Sequence, residues 1–243
     1  MDDLNRLFSD NRPTTLTFDC YGTLVDWEGG AVKALRSIYG FSDQLVSEDV
    51  LISLFLELDA LVIREGIFPY SSVLENVADR IAEKLLGSSI PELSTAFPQS
   101  LPTWPVFAET NEALTQLAKH FRLAIISNVD DDLIAGTLTQ ISAPFDEVFT
   151  SQQTSTYKPD RPIFEAALRK LDEQPRRIIH IAEGLGEARP ATELGMKSIW
   201  VKRSKRSDDG SKAIPHATAS NLMAIVEATQ SSLVANNQIK AGK

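Results

Sequence analysis

Four short apolar runs, each stopping at a polar or glycine turn, constrain this chain more than any other feature. Residues 15–19 end in Asp19 ahead of Gly22 and Thr23, and residues 123–126 stop at Ser127 and Asn128. Residues 178–181 run into Ala182, Glu183 and Gly184, and residues 198–201 stop at Lys202. Buried strands that end this way present their chemistry at the carboxyl edge of an α/β sheet. From about Pro105 to Val201 the runs alternate with amphipathic helical patterns. Leu114, Leu117 and Ala118 share one face, and Phe164, Ala167, Leu168 and Leu171 share another after Pro162, a residue suited to opening a helix. Strand–helix alternation requires crossover connections, which predicts an α/β fold with a Rossmann-like, mostly parallel sheet flanked by helices.

Residues 28–104 read differently. Residues 31–39, 48–64 and 73–86 carry helical periodicity with no convincing strand between them, and the stretch closes on Pro98, Pro102 and Pro105. The predicted organisation is therefore a catalytic core of residues 1–27 and 105–230, a helical cap of residues 28–104 inserted after the first strand, and a polar, loose tail of residues 231–243. Such an insert can close over the sheet edge and exclude water.

Composition narrows the partners. At 243 residues and 43% hydrophobic, the chain can bury a real core without staples. Its net charge of -9 argues against a nucleic-acid or anionic-membrane binder. The single cysteine, Cys20, suits a reducing compartment. The chain opens on Met1-Asp2-Asp3 without a long apolar run, so no signal peptide or membrane span is expected, and the protein should be cytoplasmic. The basic stretch Lys202-Arg203-Ser204-Lys205-Arg206 reads as a solvated loop.

One sheet edge then gathers a carboxylate (Asp19), hydroxyl and amide donors (Thr23, Ser127, Asn128), a cation (Lys158) and further acids (Glu183, Glu187). An aspartate is a weak nucleophile that needs alignment and desolvation. Lys158 would hold Asp19 ionised, Thr23, Ser127 and Asn128 would orient the attacking oxygen or grip substrate, and Glu187 would activate water. Singly each residue has a plain structural explanation as a turn former or helix cap, and the order of all four strand ends carries the reading.

Phe18-Asp19-Cys20-Tyr21-Gly22-Thr23-Leu24 resembles the first motif of the haloacid dehalogenase superfamily, whose first aspartate is the nucleophile. Ile126-Ser127-Asn128 is similar to its second motif, Tyr157-Lys158-Pro159-Asp160 to its third, and the stretch from His180 to Gly195 to its fourth. Phosphatases of that superfamily carry a second aspartate, a leaving-group acid, where this chain has Tyr21. Halide leaves without a proton, so the pattern is closest to the (S)-2-haloacid dehalogenase (type II) branch.

The resemblance implies a hydrolase that forms an aspartyl ester on a small carboxylic acid, displacing halide or another non-phosphate group from carbon, with no cofactor. A Mg2+-dependent phosphatase using Asp19 and Glu183, and a non-catalytic binding protein of the same fold, are the alternatives. The chain departs from the dehalogenase pattern at Ala182, Gly184 and Phe164, and it lacks the arginine that accepts halide. Arg64, Lys33, Trp27 and Trp104 are the candidate replacements. Substrate contacts are assigned to Cys20, Tyr21, Trp27 and Tyr70, although strand alternation turns Cys20 away from Asp19. His180 is read as a packed or capping residue, and Asp130, Asp131 and Asp132 as a helix start. Related dehalogenases are dimers, which leaves a homodimer open.

Overall fold

A computed structural model describes residues 3–203 and 210–241. The chain opens with α1 (Asp3–Asn11), runs through β1 (Thr15–Phe18), and then builds α2 (Trp27–Tyr39), α3 (Glu48–Glu65) and α4 (Tyr70–Leu86). Two short helices, α5 (Pro91–Ser94) and α6 (Ala96–Ser100), lead to α7 (Thr110–Leu117) and β2 (Arg122–Ser127). The second half continues through α8 (Asp131–Leu138), β3 (Glu147–Thr150), α9 (Ser151–Thr154), α10 (Arg161–Leu171) and β4 (Ile178–Ala182). It closes with α11 (Ala188–Glu193), β5 (Lys197–Val201), β6 (Ala217–Ala219) and α12 (Leu222–Ala241).

The six strands form one sheet in the order β3-β2-β1-β4-β5-β6, and every described pair is parallel. The chain builds outward from β1 to β2 and β3, then crosses to the other side of β1 for β4. The sheet therefore switches direction beside Asp19, where α/β sheets open a crevice. All four β1 residues are buried, as expected of a central strand covered on both faces.

Between β1 and β2 the chain leaves and returns through a paired hinge. Val25 bridges Val106, the amide of Asp26 donates to Pro105 O at 2.8 Å, and that of Phe107 donates to Leu24 O at 3.0 Å. Asp26 caps α2 by accepting from the Gly29 amide, which fixes the angle at which Trp27 leaves the hinge. The helices beyond it bury Leu51, Phe55, Val73, Val77, Ile81 and Phe97, continuous with the apolar core of the sheet.

Several elements escape the sequence reading. Strands β3 and β6 are only four and three residues long, too short for a period-two signal. Helix α1 buries Leu4, Leu7 and Phe8 and packs on α12, so its pairing is tertiary. The tail expected to be loose from residue 231 is instead helical through Ala241. The buried start of α12, at Leu222, Ile225 and Val226, supplies the nucleus. With no Gly or Pro before Gly242, each further residue adds a hydrogen bond without a new nucleation cost.

The basic stretch also needs correcting where it is described. Lys202 Nζ lies 4.1 Å from the Trp200 ring centre, and Arg203 donates to Thr23 O at 2.6 Å and pairs with Glu109. Arg203 is tied to the core and Lys202 stays exposed beside Trp200, while Ser204, Lys205 and Arg206 lie outside the described residues. Among the described residues no helix is long and apolar enough to cross a membrane.

Candidate active site

Asp19 is the first residue past β1, and its amide donates to Ile181 O at 2.9 Å, so the neighbouring strand fixes where its side chain begins. Gly22 sits at φ +103, a left-handed conformation that favours glycine, and lets the chain reverse. A Cβ built there would lie 2.4 Å from Glu183 Oε2. The first turn and the fourth-motif acid thus pack directly together. The reversal brings Thr23 back under Asp19, where its hydroxyl donates to Asp19 Oδ2 at 2.9 Å and accepts from the Glu183 amide at 2.8 Å.

Lys158 Nζ reaches across from the loop before α10. It donates to Asp19 Oδ1 at 2.7 Å, to Ile126 O at 2.8 Å and to Glu187 Oε2 at 2.8 Å. Three partners use all three ammonium hydrogens. Asn128 holds that loop in place: its Oδ1 accepts from the Lys158 amide at 2.7 Å, and its Nδ2 donates to Lys158 O at 3.1 Å.

Glu187 is held from a second side. His180, in β4 beside Thr17 of β1, places Nε2 3.0 Å from Glu187 Oε2 and Nδ1 3.0 Å from Thr17 Oγ1. A carboxylate only accepts, so Nε2 carries the hydrogen of that bond. Phe164, one of the departures from the dehalogenase pattern, packs edge-on against the His180 ring at 5.2 Å. Both bonds fall on Oε2. Glu187 Oε1 has no protein partner among the described residues and is open to water.

Burial disfavours the charge of every member of this cluster. Lys158 and the His180 bond outweigh it for Glu187, which is held below the usual carboxylate range. Asp19 is left above its ordinary value, because burial and the Glu187 charge together exceed what Lys158 contributes. For Lys158, Asp19 and Glu187 outweigh burial and push the ammonium up.

A cavity of about 320 Å³ opens over this cluster. Its floor is Asp19, Ser127, Asn128, Lys158, Glu183 and Glu187, and its roof is Tyr21, Trp27, Glu28, Phe55, Asp59 and Tyr70. The structure therefore brings Asp19, Ser127, Asn128, Lys158, Glu187, Tyr21, Trp27 and Tyr70 together at one cavity. Thr23 is fully buried and acts behind Asp19.

Cys20 is corrected. It is fully buried in the core and does not line the cavity, and burial pushes its thiol well up, which leaves it unreactive. Asn128 also differs from the expectation, since its amide holds the lysine loop with two bonds. Among the candidate halide acceptors only Trp27 reaches the cavity. Arg64 and Lys33 are exposed, and Trp104 is buried under Gly30, away from the site.

Tyr21 stands where a leaving-group acid would be. Its hydroxyl pairs with Thr137 Oγ1 at 2.9 Å, and burial pushes its pKa well above the ordinary value. That makes it a weaker acid than a free tyrosine.

One acid of consequence, Asp59, was not singled out from sequence, and a second, Asp130, has a role beyond the helix start expected of it. Asp59 falls one helical repeat after Phe55 and two after Leu51, so an acid interrupting the apolar stripe of α3 was the available signal. Tyr70 donates to it at 3.1 Å, and burial raises its pKa to about 6. Asp130 precedes α8 as expected. However, its carboxylate caps another helix, accepting from the amides of Tyr70 at 2.7 Å and Ser71 at 2.8 Å at the start of α4. Tyr157 adds a second tie across the cleft by donating to Phe68 O.

Metal binding can be judged from the donor set. Among the described residues no three His, Cys, Asp or Glu side chains converge to hold an ion. Asp19 presents Oδ1 to Lys158 and Oδ2 to Thr23, so the pair of Asp19 and Glu183 is a poor fit for magnesium.

Comparison with known proteins agrees with this geometry. A family profile for haloacid dehalogenase-like hydrolases matches residues 13–195. The chain is 21% identical over 202 residues to (S)-2-haloacid dehalogenase 1 of Pseudomonas sp. (strain CBS-3), covering 81% of this chain and 87% of that one. It is 27% identical over 133 residues to bifunctional epoxide hydrolase 2 of Rattus norvegicus, covering 51% of this chain and spanning only 24% of that longer protein. Among solved structures, the L-2-haloacid dehalogenase from Xanthobacter autotrophicus superposes with a TM-score of 0.75 at 18% identity, over 90% of this chain and 98% of that one. The magnesium-bound hydrolase YfnB from Bacillus subtilis superposes with a TM-score of 0.74 at 16% identity, over 90% and 99%. At such identities the likeness to solved structures is one of fold.

Proposed function

This chain belongs to the haloacid dehalogenase-like hydrolases, and on that premise we propose that it cleaves a carbon–halogen or similar carbon–heteroatom bond through an ester on Asp19, without metal. The observation that carries the reading is the position of Lys158, whose ammonium contacts Asp19 and Glu187 together at 2.7 and 2.8 Å. In the first step an Asp19 oxygen donates its electron pair to the substrate carbon, and the leaving group departs with the electrons of the broken bond. In the second, water on the free Oε1 side of Glu187 adds to the ester carbonyl. Glu187 takes its proton and returns it to the departing alcohol. Esterified Asp19 carries no charge, which leaves Lys158 to Glu187 alone.

Residues 28–104 serve as the cap that closes over this chemistry. Asp19, Glu187, Lys158 and Ser127 act on the reacting atoms, Thr23, Asn128 and His180 position them, and Tyr21, Trp27 and Tyr70 shape the substrate space. Tyr21 weighs against the phosphatase alternative, since its hydroxyl is committed and a poor proton donor. Among the described residues the lining's one cation, Lys158, is fully engaged, so the small carboxylic acid expected from sequence would be held through hydrogen bonds.

The test is bromide release from a panel of small organic bromides, with and without EDTA. Release that survives EDTA and vanishes in Asp19→Asn is expected, together with a covalent adduct on Asp19 that accumulates in Glu187→Gln and is visible by intact-mass spectrometry. Magnesium-dependent turnover of p-nitrophenyl phosphate, with no bromide release, would overturn the reading in favour of a phosphatase.

A further inference from the structure

In-line displacement at carbon expels the leaving group on the side away from the attacking oxygen. Under the hydrolase reading Asp19 attacks from the cavity floor, so the group departs toward the roof that α2, α3 and α4 supply. Halide leaves that way unaided. An oxygen leaving group needs a proton there.

The phenols of that region are committed. Tyr21 pairs with Thr137 Oγ1 at 2.9 Å, and Thr137 gives its own hydrogen to Leu133 O, so Tyr21 donates in that bond. Tyr70 donates to Asp59 Oδ1 at 3.1 Å, and burial pushes both phenols well above their ordinary range. Tyr157 donates to Phe68 O. Glu28, the other acid of the roof, has an interaction of its own.

Asp59 is placed differently. It stands part-buried on α3 at the cavity wall, and its second oxygen, Oδ2, has no hydrogen-bond partner among the described residues. The titratable groups that face it are Tyr70 from α4 and Tyr157 from the loop before α10, neither of them a cation. Without a counter-charge, burial lifts its pKa to about 6, so the carboxyl holds its proton close to neutrality. The Tyr70 bond occupies Oδ1, which leaves Oδ2 to carry that proton. Such a carboxyl is a far stronger acid than a buried phenol. A cavity of about 320 Å³ is the size of one small molecule, so a guest whose carbon meets Asp19 also meets the opposite wall.

We propose that Asp59 is the leaving-group acid of this site, and that the chain opens the carbon–oxygen bond of small strained cyclic ethers as well as expelling halide. The assignment rests on the hydrolase reading for Asp19. An Asp19 oxygen bonds the ring carbon, the ring C–O bond breaks toward its oxygen, and the Asp59 proton passes from Oδ2 to that oxygen. Water then cleaves the ester with the help of Glu187. The proton left on the reformed Asp19 carboxyl goes to solvent and balances the one that Asp59 takes back. The sum is one water added across one C–O bond. Ring strain supplies the driving force that an open ether lacks.

The experiment follows formation of the Asp19 adduct in the intact protein by rapid quench and mass spectrometry. Glycidol and 3-bromopropane-1,2-diol, attacked at the terminal carbon, give the same ester and differ only in the leaving group. Oxirane-2-carboxylate and 3-bromo-2-hydroxypropanoate form a second such pair, which carries a carboxylate. Asp19 must be ionised for both members of a pair, so the ratio of ether to bromide rates isolates the leaving-group proton. That ratio is expected to fall at least about a hundredfold in Asp59→Asn, which keeps the oxygen that Tyr70 donates to. In the parent protein it should fall about twentyfold between pH 5.5 and 7.5, as the carboxyl loses its proton. Asp59→Asn that slows ether and bromide alike would make Asp59 a structural residue and overturn the proposal, as would a ratio that pH does not move. A ratio lost in Glu28→Gln and kept in Asp59→Asn would give the proton to the other roof acid. Bromides that label Asp19 while neither cyclic ether does would overturn the acid and leave the hydrolase reading standing. Labelling of Asp19 by none of the four would overturn both.

Discussion

The ammonium of Lys158 lies 2.7 Å from Asp19 Oδ1, with both side chains largely buried in the cavity floor. The contact opposes burial, which by itself would protonate Asp19, and Glu187 crowds the same cation from the other side. Removing the cation leaves two buried carboxylates facing each other. Lys158→Met is therefore expected to destabilise the fold by about 3–5 kcal/mol, the cost of breaking a buried pair from one side. It should also raise the Asp19 pKa further and abolish adduct formation. Urea denaturation and intact-mass trapping check the two halves separately, and a Lys158→Met protein of parental stability would contradict the account.

His180 acts through Glu187, since its Nε2 bonds the oxygen that Lys158 also holds. Leucine at this position would leave Thr17 without its partner and free Glu187 to turn Oε1 away from the ester. The prediction is a kcat lower by about ten- to a hundredfold, as for a misplaced general base. The Asp19 ester should accumulate, and KM should fall together with kcat because the slowed step follows ester formation. A rapid-quench burst followed by a slowed steady state would show it. Loss of the burst itself would mean that His180 serves the first step instead.

Asp59 offers a stability test with a definite sign. Its pKa is raised from 3.8 to about 6, so the native state favours the protonated carboxyl. Its contribution is therefore fully present below about pH 4 and is lost as pH climbs through 6. By linkage the ionised acid costs about 2–3 kcal/mol at pH 8. Asp59→Asn should raise stability by that order at pH 8 and leave it unchanged at pH 4. Chemical denaturation at the two pH values decides it, and equal effects at both would refute the assignment. Natural proteins retain such local costs where function requires them.

Asp19 and Glu187 were legible in the sequence because each follows a strand end, which a parallel sheet gathers at one edge, and Lys158 because it stands just before the start of a helix. The helices α2, α3 and α4 were legible for a similar reason, since 3.6-residue periodicity over 13 to 18 residues leaves little ambiguity. His180 was passed over because a polar residue inside a strand carries no mark of what it faces. Its role depends on Thr17 in the next strand and on Glu187 after the following turn. Asn128 was expected to orient the attacking oxygen or grip substrate because its residue type suits those tasks equally well, and only the pairing with the Lys158 backbone shows what it holds. Strand β3 hid behind its length, and α1 and α12 depend on a mutual contact that links the two ends of the chain.

The same limit explains Asp130, whose acidic run reads as the start of α8 while its carboxylate serves α4. The two amides it accepts from, Tyr70 and Ser71, open the helix that carries the cavity roof, and Pro69 before them offers no side-chain cap. One core carboxylate thus satisfies two orphan donors of a roof helix and places negative charge at its positive end. Asparagine can accept only through one oxygen, and its amide group would face the second N–H. Asp130→Asn should therefore cost about 1.5–3 kcal/mol, the range for hydrogen bonds to a charged group. The loss should be local. Hydrogen exchange is expected to quicken at Tyr70 and Ser71 while the amides of β1 and β4 keep their protection. KM for any turned-over bromide should rise more than kcat falls, because Tyr70 and the Asp59 it donates to move with the end of α4. Unchanged exchange at Tyr70 and Ser71 would show that the roof is held by packing and the Tyr157 tie alone.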